Sequence, residues 1–271
     1  MLLVHSRAAH LSTRTLRYLE AGSGRPLIWL HAFPLSADQW LPQLSRVPPG
    51  WRFIAPDLRG FRGGRQAFEV FDLPGVTMDA YAGDVLELMT HLEIADAVVG
   101  GLSMGGYVAF ALLRKAPSRV SGLVLADTRA TADTPEGRAA RDKMIELVGR
   151  EGSAGVAREM LPKLLGETTR REQPDLSDAV RRLIEVNTSD AIAAALNALK
   201  SRPDSTPLLA SIACPTLIIC GEEDVLTPMA DSEAMHQAIS GSRLVRLAGA
   251  GHLSNLENPI GFNDAIAGLS R

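Results

Sequence analysis

The sequence predicts an α/β fold, a doubly wound and mostly parallel sheet carrying a helical insertion, and three observations predict it. Short apolar runs alternate with helical periodicities through the first half of the chain, and the same rhythm resumes after Pro207. The later runs are almost continuously apolar, as befits parallel strands covered on both faces. Between residues 129 and 207 no convincing strand pattern occurs, charges thicken and helical spacing takes over.

Taken in order, Leu16 to Glu20, Leu27 to His31, Arg52 to Pro56, Ala97 to Gly100 and Leu123 to Ala126 read as strands. Between the third and fourth, Tyr81, Val85, Leu88 and Leu92 recur at helical spacing behind Thr77, a suitable N-cap. Tyr107 to Arg114 forms the next helical stretch. In the insertion, one apolar stripe runs through Ala140, Met144 and Leu147, and a second through Val156, Met160 and Leu164. Two more follow, Val180, Leu183 and Ile184, then Ile192, Leu196 and Leu199. The closing rhythm is a strand over Thr216 to Cys220, a helix near Met229 to Ile239, a strand over Arg243 to Leu247 and a helix carrying Phe262, Ile266 and Leu269. The expected organisation is a core of residues 1–128 and 208–271, split around a helical lid at 129–207.

Composition narrows the function. Among 271 residues, Lys and Arg total 28 against 31 Asp and Glu, a formal charge of −3, and no block of like charge offers a nucleic-acid track or a membrane patch. A small-molecule partner is expected instead. No apolar run approaches the roughly 18 residues that span a bilayer. The opening Met1 to Val4 turns polar at His5 before a signal-peptide core forms, so a cytoplasmic location is expected. Cys214 and Cys220, placed on one strand about 20 Å apart, are beyond disulfide reach and are expected to be reduced thiols. Neither Cys-x-x-Cys nor His-Glu-x-x-His occurs, and no metal or organic cofactor is implied.

The sharpest chemical signal is Gly101-Leu102-Ser103-Met104-Gly105, directly after a strand and before a helix. A serine on so tight a turn projects above the sheet, and small flanking residues let the turn close. A serine hydroxyl needs a base within hydrogen-bond reach and a group to orient that base. Of six histidines, His252 follows a strand, in Gly249-Ala250-Gly251-His252, at the edge where such sheets bind ligands. His5, His10, His91 and His236 fall in termini or helices and read as bystanders. Asp224 leaves another strand end and completes the order Ser103, Asp224, His252, with Asp127 as its rival because it too ends a strand. Glu222 and Glu223 read as solvated loop charge.

Charge developing on a substrate oxygen needs two preorganised amide donors. Met104 supplies one, and Phe33, in the loop His31-Ala32-Phe33-Pro34, is the candidate for the other. Phe33 and Trp40 fit pocket lining or plain packing equally well. His31 is expected to brace this loop rather than exchange protons.

These motifs, with the Asp57-Leu58-Arg59-Gly60 turn and the ending His252 to Pro259, resemble the α/β-hydrolase superfamily over residues 15–128 and 208–271. Within it the chain is most similar to lidded enol-lactonases, carboxylesterases and cofactor-free haloperoxidases. Two departures stand out. Ala32 replaces a frequent glycine, which is expected to tilt the Phe33 amide, and Gly60-Phe61-Arg62 lacks the usual second glycine two residues on. Family members with an aspartate nucleophile are excluded by Ser103. The resemblance implies a hydrolase of small carboxylic esters or lactones acting through an acyl-enzyme, with Ser103, Asp224 and His252 catalytic and Phe33 and Met104 forming the oxyanion hole. Enol-lactone hydrolysis would call for a cation facing the substrate carboxylate, from Arg62, Arg65 or Arg129. A non-hydrolytic receptor or lyase on the same fold is the competing class. Specificity falls to the lid, where Met144, Met160, Leu161 and Leu164 face either substrate or one another.

Overall fold

A computed structural model describes residues 3–62 and 75–268. Eight strands form one sheet: β1 (His5–His10), β2 (Thr15–Gly22), β3 (Arg25–Leu30), β4 (Trp51–Pro56), β5 (Ala97–Leu102), β6 (Val120–Ala126), β7 (Thr216–Gly221) and β8 (Arg243–Leu247). Their order is β1-β2-β4-β3-β5-β6-β7-β8. The first two pairings are antiparallel and all those from β4 to β8 are parallel. The predicted fold class is thus the observed one. β1 escaped the sequence pattern because its segment, His-Ser-Arg-Ala-Ala-His, is an edge strand with five of six residues exposed, so burial imposes no alternation on it. His5 and His10 therefore sit on an exposed strand rather than in a terminus or helix.

The helices are α1 (Leu41–Leu44), α2 (Met78–His91), α3 (Met104–Lys115), α4 (Pro135–Leu164), α5 (Glu167–Glu172), α6 (Pro174–Glu185), α7 (Ser189–Lys200), α8 (Thr206–Leu209), α9 (Met229–Ala238), α10 (Ser254–Glu257) and α11 (Pro259–Ala267). Thr77 caps α2 as expected, its hydroxyl accepting from the Ala80 amide at 3.1 Å. Helices α2 and α3 pack on one another, and α3 packs on β3, β5 and β6. Trp29 of β3 stacks on Trp40 at 4.3 Å, and both rings meet Phe262 of α11. Trp40 is fully buried in this aromatic cluster, so packing is its role.

Helices α4 to α8 occupy the connection between β6 and β7, with α4 packed against α6 and α7. The two stripes expected at 140–147 and 156–164 lie on one long element, kinked at Gly152, whose φ is 65°. The first stripe holds in part: Met144 is half-buried against the core, but Ala140 is exposed, and Val148 rather than Leu147 is buried. Its solvent-facing start gave the periodicity no core to report. Cys214 precedes β7 rather than lying within it, and both cysteines are free. Leu269 of the closing stripe lies outside the described residues. Among those described, no helix is long and apolar enough to cross a membrane.

Candidate active site

The parallel strands all deliver their chains to one sheet edge. His31 to Phe33 follow β3, Asp57 follows β4, Ser103 follows β5, Asp127 follows β6, Asp224 follows β7 and His252 follows β8. In a doubly wound sheet this carboxyl edge is where ligands bind.

Ser103 adopts φ 53° and ψ −112° between β5 and α3, a region that non-glycine residues occupy at a cost of about 1–3 kcal/mol. The surroundings enforce it. The Ser103 amide donates to the Ala126 carbonyl at 3.0 Å, and its carbonyl accepts from the Gly106 amide and, at 2.8 Å, from the Thr128 hydroxyl. Two glycines make the turn possible by close approach. A Cβ on Gly101 would stand 2.2 Å from the Gly105 carbonyl carbon, and one on Gly105 would stand 2.0 Å from the Leu30 carbonyl oxygen. The Ser103 side chain makes no capping bond to α3, which leaves the hydroxyl uncommitted at the helix N-terminus.

His252 is buried, and its Nδ1 lies 2.8 Å from Oδ2 of Asp224. A carboxylate only accepts, so Nδ1 carries a proton, and in the neutral imidazole Nε2 holds the lone pair. Asp224 is held by donors on both oxygens: Oδ1 accepts from the amides of Leu226 and Thr227, and Oδ2 also accepts from the Thr227 hydroxyl at 2.6 Å. Burial opposes its ionisation, but His252 and these Thr227 bonds outweigh burial and hold its pKa below the ordinary carboxylate value. Thr227, three residues beyond Asp224, was missed in the sequence; the Asp-x-x-Thr spacing was the available signal.

The rival acid is turned to other work. Asp127 accepts from the Gly221 amide at 2.8 Å and from the Ser254 hydroxyl, and so ties the ends of β6 and β7 to α10. Complete burial, and then the negative charge of Asp224, push its pKa well above the usual range. Asp127, Cys220 and Asp224 offer three ligand atoms within 4.8 Å of one another. That donor set suits a metal poorly, because Asp224 already accepts four protein donors and Asp127 one on each oxygen. Burial also pushes the Cys220 thiol up to about 12, so it is not a thiolate.

Among the described residues, neither the Phe33 nor the Met104 amide donates to the backbone. The Met104 amide is one of the free donors that open a helix. Ala32 does not adopt positive φ, and its amide donates to Gln39 at 2.8 Å. His31 braces the loop: Nδ1 donates to the Ala32 carbonyl at 2.9 Å, and Nε2 accepts from the Leu58 amide at 3.0 Å.

The insertion reaches this edge through three polar side chains that the sequence did not reveal as partners. Asn187 donates to the Pro34 carbonyl and accepts from the Arg62 amide, both at 2.8 Å. Glu223, expected in solvent, accepts from the Thr168 amide and hydroxyl, because the insertion folds back over the acid turn; Glu222 is exposed as expected. Glu257 accepts from the amides of Gly166 and Leu253. Two of the three arginines expected to read a carboxylate have partners, although Nε of Arg129 is buried without one among the described residues. Arg62 pairs with Asp38, and Arg129 donates to the Leu226 carbonyl at 2.7 Å beside Asp231. Arg65 lies outside the described residues. Leu164 is fully buried and Met160 nearly so, both in the apolar cluster continuous with the sheet core. A separate groove of about 850 Å³ opens among Leu113, Pro117, Val120, Leu208 and Cys214, and none of the candidate site residues lines it.

A family model described as the alpha/beta hydrolase fold matches residues 25–259. A thermophilic esterase from Thermogutta terrifontis, solved with malate bound, superposes with a TM-score of 0.89 at 39% identity over 97% of each chain. The enol-lactonase from Burkholderia xenovorans superposes with a TM-score of 0.86 at 26% identity, covering 96% of this chain and 98% of its own. A non-heme haloperoxidase from Rhodococcus erythropolis is 32% identical over 248 residues, 87% of this chain and 88% of that protein.

Proposed function

The chain belongs to the α/β-hydrolase family, and from that premise we propose that it is a serine hydrolase that cleaves small carboxylic esters or lactones through an acyl-enzyme. The observation that carries this reading is the 2.8 Å contact between Asp224 and Nδ1 of His252, at the sheet edge where Ser103 stands on its strained turn. With Nδ1 protonated, Nε2 is the atom that accepts the Ser103 proton as the oxygen attacks the substrate carbonyl. Asp224 fixes the tautomer and stabilises the imidazolium that forms. The free amides of Phe33 and Met104 take the oxyanion, each contributing about 3 kcal/mol to the transition state. His252 then protonates the leaving alcohol, and water repeats the sequence in reverse roles to release the acid. Residues 129–207 act as a lid that excludes water and selects the acyl group.

The esterase relative supports the simple-ester reading. Enol-lactone hydrolysis would require a cation for the substrate carboxylate; Arg62 is already paired with Asp38, which weighs against it in that role, while Arg129 keeps a buried Nε without a partner among the described residues. Ser103→Ala tests the proposal: turnover of a short-chain p-nitrophenyl ester and labelling by a fluorophosphonate are both expected to vanish with the fold intact. Activity within tenfold of wild type in a folded variant would overturn it.

A further inference from the structure

We propose that Glu257 is a positioning residue for His252, and that it makes the placement of the imidazole depend on the seating of the helical insertion. The inference rests on the role assigned to His252 above. The Glu257 carboxylate is 5% exposed, yet no arginine or lysine pairs with it among the described residues. Its oxygens take backbone amides from two segments, the Gly251 amide and the Thr169 hydroxyl also being directed at them. Oε1 accepts at 3.0 Å from Leu253, the residue that follows His252, and Oε2 accepts at 2.8 Å from Gly166, in the insertion between α4 and α5. The Leu253 amide lies also 3.2 Å from the Leu164 carbonyl. The two segments are in backbone contact, since a Cβ on Gly251 would stand 2.3 Å from the Gly166 nitrogen. One buried carboxylate thus clamps the histidine loop to the insertion.

Asp224 fixes the Nδ1 end of the ring, but the ring's reach toward Ser103 also depends on where the backbone of residue 252 lies. Glu257 fixes that backbone. A carboxylate is the group that fits, because N–H donors of the histidine loop, Gly251 and Leu253, and of the insertion, Gly166, converge on its two oxygens. A carboxamide would turn its own donor against one of them, and aspartate is one methylene too short to reach both.

The test is Glu257→Gln, with Glu257→Asp as the second variant if the first does not fold. Turnover of p-nitrophenyl esters from acetate to octanoate would be measured per active site, titrated with a fluorophosphonate so that unfolded protein is not counted. The expected result is a fall in kcat of about tenfold or more, uniform across acyl lengths, with KM changed less than threefold. A kcat per titrated site within twofold of wild type overturns the proposal, as does a change confined to KM or to one acyl length. Ser103→Ala run alongside separates the two readings: if it retains activity, the assignment of Ser103 and His252 has failed; if it is inactive while Glu257→Gln is normal, only the role of Glu257 has failed.

Discussion

Asp224 meets His252 across 2.8 Å, Oδ2 to Nδ1, and accepts the Thr227 hydroxyl on the same oxygen. Both acids at neighbouring strand ends were open candidates in the sequence, so this contact makes opposite predictions for them. Asp224→Asn presents the imidazole with the wrong hydrogen-bond pattern, and kcat is expected to fall by about 10⁴-fold, as tautomer loss does in other triads. Asp127→Asn keeps an oxygen for the Gly221 amide but disturbs the Ser254 bond. It is expected to lower Tm while changing kcat less than about tenfold. Melting curves beside ester kinetics distinguish them; the reverse pattern would make Asp127 the acid.

The elbow makes a stability prediction. In Gly105→Ala the new Cβ meets the Leu30 carbonyl oxygen at 2.0 Å, a backbone atom at the end of the central strand β3 that cannot swing aside. Overpacking at such a point costs typically 1–3 kcal/mol and sometimes more. The variant is expected to lose about 3 kcal/mol or to be recovered as aggregate, read from the urea midpoint. A wild-type midpoint would show that α3 does not sit this close to the sheet.

The elbow, the histidine turn and the acid turn were legible because each is a short local motif at a strand end, where backbone strain and chemistry select particular residues. β1 was not legible, since an exposed edge strand carries no apolar alternation. Nor were the partners of Asn187, Glu223 and Glu257, each of which joins segments more than fifty residues apart. A polar side chain saturated by a distant amide looks like a solvated one in sequence. The partners that occupy the oxygens of Asp127 and Asp224 were likewise not in the sequence, which favoured Asp224 only by the order of its motifs.

Asn187 holds a second seam between the insertion and the site. Where the resembled family usually has glycine, this chain places Arg62 at φ 44°, and the Asn187 oxygen accepts the amide of that strained residue while its nitrogen donates to the carbonyl next after Phe33. Asn187→Ala leaves both backbone groups unpaired, at about 1–3 kcal/mol, and frees the loop that carries the Phe33 amide. The expected outcome is a lower Tm together with a fall in kcat of about tenfold at nearly constant KM. A lower Tm with kcat unchanged per titrated site would detach the Phe33 loop from this anchor.

His31 makes stability depend on pH. Burial lowers its pKa from 6.5 to about 4, because the ring is fully enclosed and the Nε2 that accepts from Leu58 cannot take a proton without losing that bond. Between about pH 4 and 6.5 the unfolded chain therefore binds a proton that the folded chain does not. Stability from this group is complete above the unfolded value and declines as the pH falls through the window, by about 1.4 kcal/mol per unit and on the order of 3 kcal/mol in all. His31→Gln keeps a donor and an acceptor without titrating, and although less stable at neutral pH it is expected to lose less on acidification. Urea midpoints from pH 7 to pH 4.5 check this: parallel curves for the two proteins would mean that His31 is not the group that takes up the proton on unfolding.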